Sequence, residues 1–118
     1  MRFRGDPARH IRGAGFVGAV ANIAPRAVAR MYDCWAGGEA DKARDLHYRL
    51  HPLADLIVAE TNPAPVKWVL HRAGLLGSAH VRPPLAPLGG PAEHTVLTLL
   101  GHRAPVLDAP VSALVPQP

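Results

Sequence analysis

The sequence predicts a small, mainly α-helical unit, and three observations predict it. Apolar residues recur at three- and four-residue steps over long stretches of the chain. Thirteen prolines punctuate it, several of them where helices begin or stop. A single short run, Gly15-Phe16-Val17-Gly18-Ala19-Val20, has the glycine-bounded apolar character of a buried strand.

Each element follows from its residues. Residues 1–12 are basic and aperiodic, and the strand reading covers 15–20. Pro25 stands where a helix begins, Val28, Met31 and Trp35 mark its apolar face, and Gly37-Gly38 ends it. A longer helix is expected from about Asp41 to Glu60, with Ala43, Leu46, Leu50, Leu53 and Ile57 on one side and a kink near His51 caused by Pro52. Asn62-Pro63 stops it, because a residue before proline avoids helical geometry. Pro65 opens a third helix carrying Val66, Val69 and Leu70, with Gly74 as its stop. Residues 77–90 read as an extended proline-rich connection, and Pro91 starts a fourth helix to about Leu100. The tail from Pro105 contains four prolines and is expected to be mobile. A lone strand would leave its backbone N–H and C=O groups unpaired. Either 15–20 is not a strand, or its partners lie elsewhere.

Composition narrows the function classes. The chain has 118 residues, 48% of them hydrophobic but 5% aromatic, so alanine, leucine and valine must fill most of one small core. The net charge of +4 comes mainly from arginines spread along the chain, without the clustering and interleaved aromatics of a nucleic-acid surface. Cys34 is the single cysteine, which excludes an intrachain disulfide and a Cys-x-x-Cys metal pair and suits a cytoplasmic setting. No apolar run approaches the roughly 18–20 residues of a membrane span. Arg2, Arg4, Arg9 and Arg12 before Phe16–Ala24 imitate a secretory signal, but Gly13, Gly15 and Gly18 interrupt the apolar stretch.

The motifs are mostly weak. Gly13-Ala14-Gly15-Phe16-Val17-Gly18 matches the dinucleotide fingerprint, but Arg9–Arg12 before it makes a poor strand and the residues after it read as strand, not helix. His47 and His51 have a metal-capable spacing, yet Asp45 and Arg49 alongside mark a solvated helix edge, and no third ligand follows. No metal or cofactor is expected. Lys67 could be taken for a Schiff-base lysine, a role that needs an apolar pocket or a neighbouring cation. Beside Trp68 on a short helix, a snorkelling or capping role fits better. Cys34 is expected to be a small buried residue. Nothing resembles paired catalytic carboxylates.

Several segments together resemble a known family. They are Gly15–Pro25, Ala43-Arg44, Arg49-Leu50-His51-Pro52-Leu53, Glu60-Thr61-Asn62-Pro63-Ala64-Pro65-Val66-Lys67-Trp68, Gly74-Leu75 and Arg82-Pro83-Pro84-Leu85-Ala86-Pro87. In order and spacing, over roughly residues 13 to 90, they resemble the C-terminal part of the dihydrodipicolinate synthase and N-acetylneuraminate lyase family. Asn-Pro-x-Pro-Val-Lys, Arg-x-Pro-Leu and Ala-Asn-x-Ala-Pro favour the synthase branch. Departures are Gly18-Ala19 where Ser-Val is usual, and Pro83 where leucine is usual.

The resemblance implies a (β/α)₈ barrel of about 250 residues followed by a helical extension. By that reading, 1–12 is a basic, poorly matched segment and Arg4-Gly5-Asp6 a remnant of the seventh strand. Residues 13–38 are the last β/α unit, 39–104 the three-helix extension and 105–118 the proline-rich tail. The family condenses pyruvate with aspartate semialdehyde through a lysine Schiff base, in lysine and diaminopimelate biosynthesis. Its nucleophilic lysine, relay tyrosines and carboxylate-binding arginine all precede the matched region. Lys67 matches a structural lysine, and Tyr32 and Tyr48 match no catalytic tyrosine. Val17 is the one pocket residue carried over, lining the pyruvate site. The isolated chain is therefore expected to be inactive. The partners implied are pyruvate, a small aldehyde and further subunits, with association through an exposed barrel face, and neither nucleic acid nor membrane. The alternatives are a non-catalytic helical interaction module or another pyruvate-dependent aldolase of the family.

Overall fold

Periodicity, caps and turns act locally, and most of the expected helices form where the residues place them. The computed structural model describes residues 16–101 and 107–114. Their elements are α1 (Val20–Ile23), α2 (Pro25–Ala36), α3 (Ala40–Ile57), α4 (Ala64–Arg72), α5 (Gly90–Gly101) and α6 (Ala109–Ser112). Among the described residues there is no strand.

The strand expected at 15–20 is corrected. Phe16, Val17 and Gly18 have no regular structure, and from Ala19 onward the chain turns into α1. The Ala21 N–H donates to the Gly18 carbonyl (3.1 Å) and the Ala24 N–H to the Val20 carbonyl (3.0 Å). With no neighbouring strand among the described residues, local helical bonds satisfy groups that a sheet would otherwise pair. Arg4-Gly5-Asp6 and Gly15 lie outside the described residues.

Two helices end by the same device. After α2, the Glu39 N–H reaches back to the Cys34 carbonyl (2.8 Å) and the Gly38 N–H to the Trp35 carbonyl (3.1 Å). After α4, the Leu75 N–H reaches Leu70 (2.9 Å) and the Gly74 N–H reaches His71 (3.0 Å). This is the Schellman pattern, and it needs a left-handed residue at the first position past the cap. Gly38 and Gly74 supply it, at φ 83° and 74°. At their N-termini, α2 and α4 carry proline in the first turn in place of a side-chain cap.

The longest helix, α3, is the hub against which α1, α2, α4 and α5 pack. Its Leu50, Leu53, Leu56 and Ile57 are buried, in a core shared with Ile23, Val28, Val66, Trp68, Val69, Val96 and Leu100. The helix continues through Pro52, which removes one donor from the ladder. The carbonyl left over is that of Tyr48, a residue on the exposed side where water can serve it. On α2 the expected face is corrected at its last turn: Cys34 is buried, while Trp35 is 54% exposed. The reversal into α3 closes over Cys34 and leaves Trp35 on the open side.

The connection between α4 and α5 is pinned from α4. Lys67 Nζ donates to the His80 carbonyl (2.8 Å), and the Nδ1–H of His71 donates to the Leu76 carbonyl (3.0 Å). Val81 and Leu88 bury themselves beneath it. Asn62-Pro63 and Pro83-Pro84 are cis peptides. Within the stretch expected to be a mobile tail, residues 107–114 instead carry α6, with Val111 buried in the core. The remaining tail residues lie outside the described residues.

Candidate functional site

The candidate site is the entry to α1, which holds Val17, the residue singled out through the family resemblance. Two physical demands meet there. Ile23 and Ala24 are fully buried and fix the end of α1 in the core. Five or so residues earlier the chain stands clear: Val17 is fully exposed and Phe16 is 55% exposed. The Phe16 ring lies over Gly18, 3.6 Å from where a Cβ would stand, so this apolar segment folds partly onto itself. Asn22 steadies the turn, its side-chain amide donating to the Ala19 carbonyl (3.2 Å). A β-branched residue left wholly in water beside a half-exposed phenylalanine is an apolar surface lacking cover among the described residues.

The other residues singled out by sequence are not gathered around this point. Lys67 is half-buried on α4, and its ammonium is held by the His80 carbonyl. It therefore serves as a strut between elements, bonded to a carbonyl outside its own helix rather than capping it. Tyr32 and Tyr48 lie in α2 and α3. His47 and His51 stack edge to face at 6.3 Å, both exposed, and no group of three metal-capable side chains exists among the described residues. Gly13 and Gly15 of the dinucleotide-like motif lie outside the described residues. The chain turns helical soon after Gly18, contrary to expectation, but α1 is only four residues long.

Residues 16–24 carry no ionisable side chain. The clearly shifted ionisable group among those described is Lys42, raised from its ordinary value of 10.5 by its hydrogen bond and charge pairing with Glu39. It sits fully exposed at the start of α3, where no apolar pocket could activate it as a nucleophile. Sequence reasoning did not reveal the Lys67 to His80 link, because it spans thirteen residues and depends on how the connection folds.

The sequence profile of the Dihydrodipicolinate synthetase family matches residues 5–102. The chain belongs to this family. The matched span is wider at both ends than the motif-bearing stretch. Among curated relatives, the 4-hydroxy-tetrahydrodipicolinate synthase of Thermomicrobium roseum is 42% identical over 86% of this chain and 34% of its own. That of Methanopyrus kandleri is 38% identical over 75% of this chain and 28% of its own. That of Leptothrix cholodnii is 43% identical over 69% and 27%. A solved structure described as a monomeric dihydrodipicolinate synthase variant superposes with a TM-score of 0.72 at 29% identity, over 80% of this chain and 31% of that one. The chain thus spans about a third or less of its relatives within the dihydrodipicolinate synthetase family.

Proposed function

We propose that these residues form the closing part of a pyruvate-dependent Schiff-base lyase, of the 4-hydroxy-tetrahydrodipicolinate synthase type, acting in lysine and diaminopimelate biosynthesis in the cytoplasm. In this reading 13–38 is the last β/α unit of a (β/α)₈ barrel and 39–104 its helical extension. The sole observation that carries it beyond family membership is the exposed Phe16-Val17 segment feeding into α1, whose last residue Ile23 is buried in the core. An apolar segment that is bare on its own becomes a strand once flanking strands pair with it. Active sites of such barrels lie at the C-terminal ends of their strands. Val17 then lines the pyruvate pocket, where a β-branched side chain shapes the cavity without donating or accepting a proton.

The lysine that would form the imine is not supplied by these residues. Lys67 is committed to a carbonyl and Lys42 to a carboxylate. Neither sits in the desolvated setting that lets an amine attack a carbonyl at neutral pH. The 118-residue chain alone is therefore inactive. Borohydride trapping with pyruvate should leave its mass unchanged; a stoichiometric pyruvyl adduct on Lys67 would overturn this.

The constructive test is a chimera. Residues 16–101 replace the matching segment of the Thermomicrobium roseum synthase, and pyruvate consumption is assayed with aspartate semialdehyde and with other small aldehydes. Retained activity with aspartate semialdehyde is expected. A folded chimera without activity refutes the reading, and activity confined to other aldehydes reassigns the substrate within the family. The same exposed Phe16 and Val17 also suit a helical interaction module, which would associate without any turnover.

A further inference from the structure

A second concave feature lies away from the entry to α1. Between α2, α3 and the Leu107-Asp108 segment is an open cleft of about 240 Å³. Ala27, Leu46 and Leu107 give it apolar lining, and Arg26, Arg30 and Arg49 line it as well. Three guanidinium groups around one cleft repel one another unless anions stand between them. Two carboxylates already do so in part. Asp45 holds Arg49 at 2.9 Å. Asp108, its side chain mostly buried, approaches Arg26 at 3.7 Å, longer than a hydrogen bond. Arg30 makes no ion pair among the described residues.

Two forks are thus available, those of Arg26 and Arg30. They stand four residues apart on α2, the spacing that places side chains on one helix face about 5–6 Å apart at their roots. A guanidinium binds a carboxylate through paired N–H donors, so two forks in a row suit two carboxylates on a short spacer. The volume corresponds to about eight waters, enough for a small organic molecule. The apolar lining would cover a short aliphatic body, which a bare phosphate lacks.

We propose that this cleft binds a small aliphatic dicarboxylate, with Arg26 and Arg30 taking one carboxylate each and Asp108 standing as an internal competitor. The experiment titrates the 118-residue chain with succinate, inorganic phosphate and sodium chloride at matched ionic strength, read by heteronuclear NMR shifts on α2 and α3. Succinate is expected to bind more tightly than phosphate, with chloride causing no saturable shift. Arg30→Gln, at an exposed position where helicity is checked by circular dichroism, should weaken succinate about tenfold or more. Asp108→Asn should tighten it several-fold, an effect opposite to any loss of fold. Equal affinity for succinate and phosphate, an unchanged affinity in Arg30→Gln, or weaker binding in a folded Asp108→Asn would each overturn the proposal.

Discussion

At the residue scale, two glycines set the helix ends on backbone grounds alone. An added Cβ at Gly38 or Gly74 meets nothing within 4 Å, yet both adopt positive φ. The cost of alanine there is purely that of the left-handed conformation, about 1 kcal/mol at each site. Gly77 is equally open but has no such φ, so it serves as the internal control. Urea unfolding should place Gly38→Ala and Gly74→Ala below the parent chain, with Gly77→Ala near it; equal effects at all three would show that the Schellman turns impose no constraint. Lys42 adds a pH dependence of known sign. Its pKa is raised in the folded chain, so the pairing with Glu39 stabilises fully below the ordinary lysine value of 10.5. That contribution fades as pH climbs through the raised value, because the folded state then gives up the extra proton. Glu39→Gln should flatten the alkaline limb of the stability profile above that point, and an unaltered limb would rule out the pairing as its source.

At the element scale, α4 acts as a clamp on the connection to α5. Its buried face holds Val66, Trp68 and Val69 in the core, and Arg72 lies 5.5 Å from the Trp68 ring. From its other side Lys67 captures the His80 carbonyl and His71 captures that of Leu76. These bonds give a proline-rich connection a fixed course, although proline supplies no N–H for a ladder. Lys67→Met keeps the aliphatic stem but removes the charged donor from the carbonyl of His80. A loss of about 1 kcal/mol is expected, with faster hydrogen exchange confined to residues 75–82. Uniformly faster exchange across all helices would instead mean that Lys67 supports the core as a whole.

At the scale of the whole molecule, what was legible in the sequence divides by range. Pro25, Gly38 and Gly74 and the spacing of Leu50, Leu53 and Ile57 speak through bonds and contacts a few residues long, and their helices form as expected. The family was legible from motifs such as Asn62–Lys67, and its profile covers residues 5–102. Residues 16–20 form no strand here because pairing is non-local: a glycine-bounded apolar run is a strand only beside another strand, and none lies beside it among the described residues. The helix α6 was missed because prolines signalled a loose tail while Val111 found a place in the core. The Lys67 strut had no signal in sequence at all.

The same non-local argument carries the last prediction. Phe16 and Val17 put apolar surface into water, and neighbouring described residues leave it uncovered. Burying two such side chains against a second surface is worth about 3 kcal/mol in total, even with each only partly covered. We therefore expect the 118-residue chain to self-associate as its concentration rises, seen by sedimentation velocity. A Phe16→Ser, Val17→Ser double variant should weaken that association on the order of a hundredfold. The helical core should be indifferent to the change, since neither side chain belongs to the buried cluster around α3. An association that persists undiminished in the double variant would place the sticky surface elsewhere, with Trp35, Tyr48 and Val58 as the next exposed apolar positions to replace. A chain that stays monomeric at every concentration would show that this apolar segment tolerates water without a partner, and would remove the main physical ground for reading it as one stave of a larger barrel.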